Sequence, residues 1–168
     1  MTLAQWIVAG VAAQRLAELL YARHNERRLR AEGAIEFGAG HYPLIVGLHA
    51  AWLAALFATA AEAAIAWPWM TAFGVLQVLR LWVLASLGRF WTTRVLSLPG
   101  APLISAGPYR LCRHPNYLIV IGEIASLPLA LGAWPLALAF SLANLPLLAW
   151  RIRVEEAALA ERSAAGQG

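Results

Sequence analysis

The stretch Gly107-Pro108-Tyr109-Arg110-Leu111-Cys112-Arg113-His114-Pro115-Asn116-Tyr117 is a polar, turn-rich island in a chain that is 61% hydrophobic. Gly107-Pro108 marks a turn, and Pro115 suits the first position of a helix, where a missing N–H costs nothing. The run that follows, 116–130, is apolar except for Glu123. An imidazole, two guanidiniums, two phenols and a carboxamide therefore gather at the mouth of a helix fit for a membrane. Two readings stand at this point: a basic loop whose arginines snorkel at a cytoplasmic face, or the rim of a cofactor site.

Composition bounds the choice. At 168 residues the chain is one domain, 1–168. A mean hydropathy of +0.62 with 13% charged residues lies far from soluble usage, where about a quarter is charged. The net charge of +4 comes from Arg alone, because Lys and Asp are absent. Arg is weakly hydrated and always charged, which suits interfaces and anion recognition. No basic stripe lies on a soluble face, so nucleic acid is not an expected partner, and we read no metal site. The single Cys112 excludes an internal disulfide. No basic segment precedes the first apolar run, so a cleaved signal peptide is not expected.

Taken in order, the chain reads as an all-α integral membrane protein with five spans, at about 3–20, 43–64, 69–87, 116–131 and 135–150. Polar connections at 23–41 and 88–115 separate them. The last two runs reach only about 24 Å each, against a bilayer core of roughly 30 Å, and form a short helical hairpin. Beyond Trp150 the last helix is expected to continue as a charged cytoplasmic extension, with a frayed tail from 163. The two long connections and the C-terminal segment hold every arginine outside the spans, and the two opposite loops hold none. The positive-inside rule then places the N-terminus outside and the C-terminus in the cytoplasm, expected to be that of a bacterial inner membrane. Trp6, Trp67, Trp69 and Trp134 fall at the outer boundary, Trp91 and Trp150 at the inner one.

Counting inward from the cytoplasmic ends, each span carries one polar group at a similar depth, namely Arg15, His49, Arg80, Glu123 and Asn144. All lie roughly 9 to 12 Å below the boundary. Ionised groups at that depth cost about 2.5 to 3.5 kcal/mol each on insertion scales, so they face a cavity or one another. Pairing of Arg15 with Glu18 or Glu123, and of His49 with a backbone carbonyl, is the plain structural alternative. Arg80 has no acid within a turn and is the candidate for a functional arginine. Further on, Arg151-Ile152-Arg153-Val154-Glu155-Glu156 pairs Arg151 with Glu155 at i, i+4 and Arg153 with Glu156 at i, i+3. Emerging beside the His114 loop, such a helix offers a carboxylate for hydroxyls or an ammonium and a guanidinium fork for an anion.

The segments 87–94, Pro99-Gly100, 107–109, Arg113-His114-Pro115-Asn116-Tyr117 and Arg151-Ile152-Arg153-Val154-Glu155-Glu156 together resemble the isoprenylcysteine carboxyl methyltransferase family. Gln14-Arg15-Leu16-Ala17-Glu18-Leu19, Asn25-Glu26-Arg27 and His41-Tyr42-Pro43 resemble its small bacterial branch, some of which methylate long-chain alkylpyrones made by type III polyketide synthases. The resemblance implies S-adenosylmethionine at the cytoplasmic face, in the part 88–162, with cofactor contacts from Tyr109, His114, Asn116, Tyr117, Glu155 and Glu156. It implies substrate orientation by Arg80 with Arg151 or Arg153, in a pocket including Arg89, His49, Glu123 and Asn144. Eukaryotic members carry an acid about six positions before the arginine matching Arg80, where this chain has Gly74, so a different acceptor is expected. The implied activity is O-methylation of a lipophilic carboxylate or enol, with a polyketide synthase as a pathway partner and membrane lipid as surroundings. A sterol-reductase-like NADPH oxidoreductase shares the Arg-His-Pro element, and a non-catalytic membrane binder would use the polar layer as a pathway. These are the competing readings.

Overall fold

The computed structural model describes residues 1–165 of the chain, and side chains through 160. Five helices make up the bundle: α1 (Leu3–Ala31), α2 (Tyr42–Thr59), α3 (Trp67–Leu87), α4 (Pro115–Ala130) and α5 (Trp134–Ala165). Three segments are long and apolar enough to cross a membrane, Ala39–Glu62, Trp67–Phe90 and Trp134–Ala160, while Pro115–Ala130 is apolar but shorter. The exposed apolar side chains of α3, among them Val75, Val78 and Leu81, are what a lipid-facing surface requires. The chain is thus an all-helical integral membrane protein.

Helix α1 is longer than the sequence reading, and α5 continues past Trp150 as expected. Helix α1 opens on a capping box between Thr2 and Gln5 and runs on through the Arg/Glu-rich stretch expected to be a connection. Arg, Glu and Leu are good helix formers, and Ala22, Asn25, Glu26 and Leu29 recur on one buried face. At 29 residues α1 is about 43 Å long, more than a bilayer core. Helix α5 is one continuous rod of 32 residues, so only α4 is short. The expected tail is helical through Ala165, and 166–168 lie outside the described residues.

Packing divides into layers. At one end Val8 and Val11 of α1 meet Trp52 and Leu56 of α2, Phe73 of α3 and Ile124 and Leu127 of α4. At the other end Ala22, Val83, Trp91 and Ile119 form a smaller cluster. Between them lies a layer of charged and amide side chains. Helices α3 and α4 approach closely at Gly122, where a Cβ would sit 2.8 Å from Leu76 Cδ1, and the Ala66 N–H donates to Ala130 O at 2.8 Å.

A two-stranded antiparallel sheet, β1 (Ile35–Phe37) with β2 (Val95–Ser97), joins the two long connections, in the register Glu36↔Leu96. Three-residue strands carry too little alternation to be read from sequence. Glu36 anchors the sheet, accepting from Arg30 and, at 2.5 Å, from Arg94 Nη1. Burial works to raise this carboxyl, but the hydrogen bonds from Arg30 and Arg94 outweigh it and hold it below its ordinary value. A lowered carboxylate stabilises the fold above its unfolded pKa, and that stability is lost as pH falls through the folded value. Hydrogen exchange over 30–37 should therefore accelerate on acidification below the ordinary carboxylate range, and Glu36→Gln should remove that dependence.

Candidate functional site

The site is built where the 88–115 connection folds back between α1, α4 and α5. Gly107 turns the chain with φ of +58°, and a Cβ there would run into Ser86 Oγ. Gly107→Ala should therefore lower stability by about 1–3 kcal/mol from its left-handed backbone alone, measurable as an earlier thermal transition in detergent. The turn delivers Tyr109, whose phenol is held above its ordinary pKa by burial and by Glu155 and Cys112. It stays a neutral hydroxyl. After His114 the helix α4 starts at Pro115, and the His114 ring stacks on Tyr117 with centroids 5.4 Å apart.

Two cavities share this region. The larger, about 330 Å³, is walled by apolar residues of α1 and α2, including Leu16, Leu19, Ile45 and Val46, and has Arg15, Glu18, His49, Arg80 and Asn144 in its lining. The smaller, about 150 Å³, is lined by Tyr109, Arg113, His114 and Glu155 among others. Trp91, Thr92, Asn116, Tyr117 and Arg151 line both. Part of the common wall is hydrogen-bonded. Tyr117 Oη donates to Glu155, Arg151 Nε donates to Tyr117 Oη at 3.1 Å, and Arg151 Nη1 donates to the Thr93 carbonyl at 2.8 Å. In contrast, Trp91 Nε1, His114 Nε2 and Asn116 Oδ1 are buried without a hydrogen-bond partner among the described residues. Unsatisfied buried polar atoms around one small cavity are what a polar ligand would complete.

The polar layer converges on the larger cavity. Arg80 donates from Nε to both Glu18 oxygens at 2.9 Å, from Nη2 to Glu18 Oε2 at 2.6 Å, and from Nη1 to Glu123 Oε2 at 3.3 Å. Arg15 bridges the same carboxylates, at 2.9 Å to Glu18 and 2.7 Å to Glu123. Gln77 donates to Glu123 at 2.7 Å, and Gln14 links Glu18 with Gln77. Two arginines and two glutamates thus close a neutral quartet across α1, α3 and α4. Arg80, which lacks an acid nearby in sequence, is fully neutralised by Glu18 and Glu123. His49 Nδ1 lies 2.8 Å from the Ile45 carbonyl; a carbonyl only accepts, so Nδ1 carries the proton. Asn144 is buried and lines the larger cavity.

Four sequence-derived candidates line neither cavity, one of them Glu123, which is buried within the quartet. Arg89 is exposed, pairs with Glu32 at 2.9 Å and lies over the Phe90 ring, so it lines neither cavity. Arg153 is exposed and also lines neither. On α5 it stands about 200° around the helix from Arg151, on the opposite face. Glu156 is likewise exposed and outside both linings, touching the site only through His114 Nε2 at 3.5 Å. The residues that sequence reasoning missed are Glu18, Trp91, Thr92 and Thr93. The last three stand in the quoted 87–94 motif, and Glu18 was the available counter-charge at the depth of Arg80.

Comparison with known proteins agrees with this architecture. The family model described as the isoprenylcysteine carboxyl methyltransferase family matches residues 69–161, which is more than half of the chain and includes α3 to α5 with the loop between them. The chain belongs to this family of membrane methyltransferases. It is also 40% identical over 163 residues, 94% of this chain and 96% of the relative, to the uncharacterized protein YpbQ of Bacillus subtilis. An uncharacterized protein of Haemophilus influenzae is 27% identical over 157 residues, 90% of this chain and 91% of its own. No solved structure matches.

Proposed function

We propose that this chain is a five-span, S-adenosylmethionine-dependent O-methyltransferase of a bacterial inner membrane, N-terminus outside, acting on a lipophilic carboxylate or enol. The observation that carries the reading is the pair of cavities, one rich in polar groups and one with an apolar α1–α2 wall above a polar floor, meeting at a single wall of Tyr117, Asn116 and Arg151. The donor set of the smaller cavity suits S-adenosylmethionine. Glu155 offers a carboxylate for ribose hydroxyls or the ammonium, Arg113 and Arg151 offer guanidiniums for the carboxylate, and Asn116 and His114 supply the unsatisfied polar atoms. When bound, the cofactor supplies an electrophilic sulfonium methyl.

The chain's own residues then have defined tasks. Transfer of a methyl needs an aligned, already anionic oxygen more than a strong base. An acid or acidic enol is ionised at neutral pH, so orientation suffices. Arg151 is the arginine placed to do it, since it faces both cavities and its Nε and Nη1 are spent on neutral partners, Tyr117 and the Thr93 carbonyl. A guanidinium that orients without fully neutralising the nucleophile avoids stabilising the ground state. Arg80 contributes through the neutral quartet, as support for the cavity floor. The apolar α1–α2 wall receives the hydrocarbon part of the acceptor and keeps water out.

Purified protein in nanodiscs, given methyl-labelled S-adenosylmethionine, tests the reading with N-acetyl-S-farnesylcysteine and a long-chain alkyl hydroxypyrone as acceptors. Label passing into an organic-extractable product of either supports it. Saturable binding of NADPH with none of S-adenosylhomocysteine would favour the oxidoreductase reading instead.

A further inference from the structure

The Asn25-Glu26 pair of α1 lies outside the segment that matches the family, and the mechanism above gives it no task. Both side chains are buried, with exposures of 2% and 7%. Asn25 Nδ2 donates to the carbonyls of Gly88 at 3.1 Å and Trp91 at 2.9 Å. Glu26 Oε1 accepts three hydrogen bonds, from Thr93 N at 3.1 Å, Thr93 Oγ1 at 3.0 Å and Arg94 N at 3.1 Å. The 91–94 segment is neither helix nor strand, so its backbone groups need partners from elsewhere. Helix α1 supplies them with two side chains.

The bonds converge on one residue. Thr93 is gripped by Glu26 through its N–H and its hydroxyl, and its carbonyl is the acceptor for Arg151 Nη1 at 2.8 Å. Arg151 then bonds Tyr117, and Tyr117 bonds Glu155. A continuous series of hydrogen bonds therefore leads from α1 through the loop to α5 and α4, ending in the wall shared by both cavities. We infer that Glu26 is a positioning residue for this site, aiming the Arg151 guanidinium by fixing the Thr93 carbonyl. The inference rests on the methyltransferase reading for what the wall does, and on the geometry alone for what Glu26 holds. It also makes α1 a working part of the site.

Residues that act as one unit lose function non-additively, which separates positioning from general support. The test uses the full-length protein in detergent and two measurements, S-adenosylhomocysteine affinity by calorimetry and hydrogen exchange over 88–97. Glu26→Ala should weaken affinity about tenfold and Arg151→Gln about 30-fold, with the double variant no weaker than Arg151→Gln alone, where independent effects would multiply to about 300-fold. Glu26→Gln keeps a carbonyl oxygen for the Thr93 N–H and should stay within about threefold of the parent. Exchange over 88–97 should rise in Glu26→Ala. Multiplicative losses, or unchanged exchange, would overturn the inference. If Glu26→Ala does not fold, Glu26→Asp, one methylene short of Thr93, carries the same cycle. A parent protein that binds no S-adenosylhomocysteine would sink the methyltransferase reading, and the exchange comparison would still decide whether Glu26 holds the loop.

Discussion

Glu18→Leu is expected to lose most of the folded protein, the largest stability effect in the molecule. The carboxylate is 7% exposed and accepts from Arg80 Nε and Nη2, from Arg15 and from Gln14. Without it, Arg80 keeps only the 3.3 Å contact to Glu123, which Arg15 already occupies at 2.7 Å. Two guanidiniums would then share one carboxylate inside the bundle. Removing one partner of a buried ion pair costs about 3–5 kcal/mol, whereas replacing both with apolar residues of similar volume is often neutral. The double variant Glu18→Leu, Arg80→Met leaves Arg15 with Glu123 and should recover most of the thermal stability. Equal loss in single and double variants would show that the quartet matters for shape and not for charge balance. Since Arg80 does not line the smaller cavity, the double variant should also retain S-adenosylhomocysteine binding.

The second large effect is on turnover. Arg151→Met should reduce kcat/KM for the acceptor by about 100-fold or more, because a misplaced reacting oxygen alone can cost that much. The change removes the donor to Tyr117 and to the Thr93 carbonyl together. Tyr117→Phe breaks the bond to Glu155 but leaves Arg151 on Thr93, so its loss should be the smaller of the two. Arg153→Met and Arg89→Met, on exposed side chains away from both cavities, should change kcat/KM by less than about twofold. Equal losses at Arg151 and Arg153 would move substrate orientation off the cavity wall and onto the outer face of α5.

Much of the site was legible because its chemistry is concentrated in short stretches. The turn at Gly107-Pro108 and the helix start at Pro115 are local signals, whereas the i, i+4 pair expected between Arg151 and Glu155 is replaced by bonds of both to Tyr117. The polar layer emerged from counting depth alone. The partners of Arg15 and His49 were also read, but that of Arg80 was not, because Glu18 and Arg80 stand 62 positions apart, and no periodicity reports which of two charges at one depth is the partner. A balance of two arginines against two glutamates was the available clue. Arg153 and Glu156 were misplaced because a helical motif read as a string has no inside, whereas only the Arg151, Glu155 and Ala158 face meets the core. The C-terminal half of α1 was hidden by its charge. Its Arg and Glu residues look like a loop in a chain this apolar, yet they form a helix whose buried edge, Asn25 and Glu26, grips the 88–94 segment.

On the proposed reading the wall of Asn116, Tyr117 and Arg151 divides a cofactor cavity from an acceptor cavity, with Glu155 on the cofactor side. Calorimetric titration of the purified protein with S-adenosylhomocysteine, beside the Glu155→Ala variant, tests it most directly. Saturable binding at one site per chain, strongly weakened in the variant, is the expected result. No saturable heat from the parent protein, or equal binding by Glu155→Ala, would contradict it.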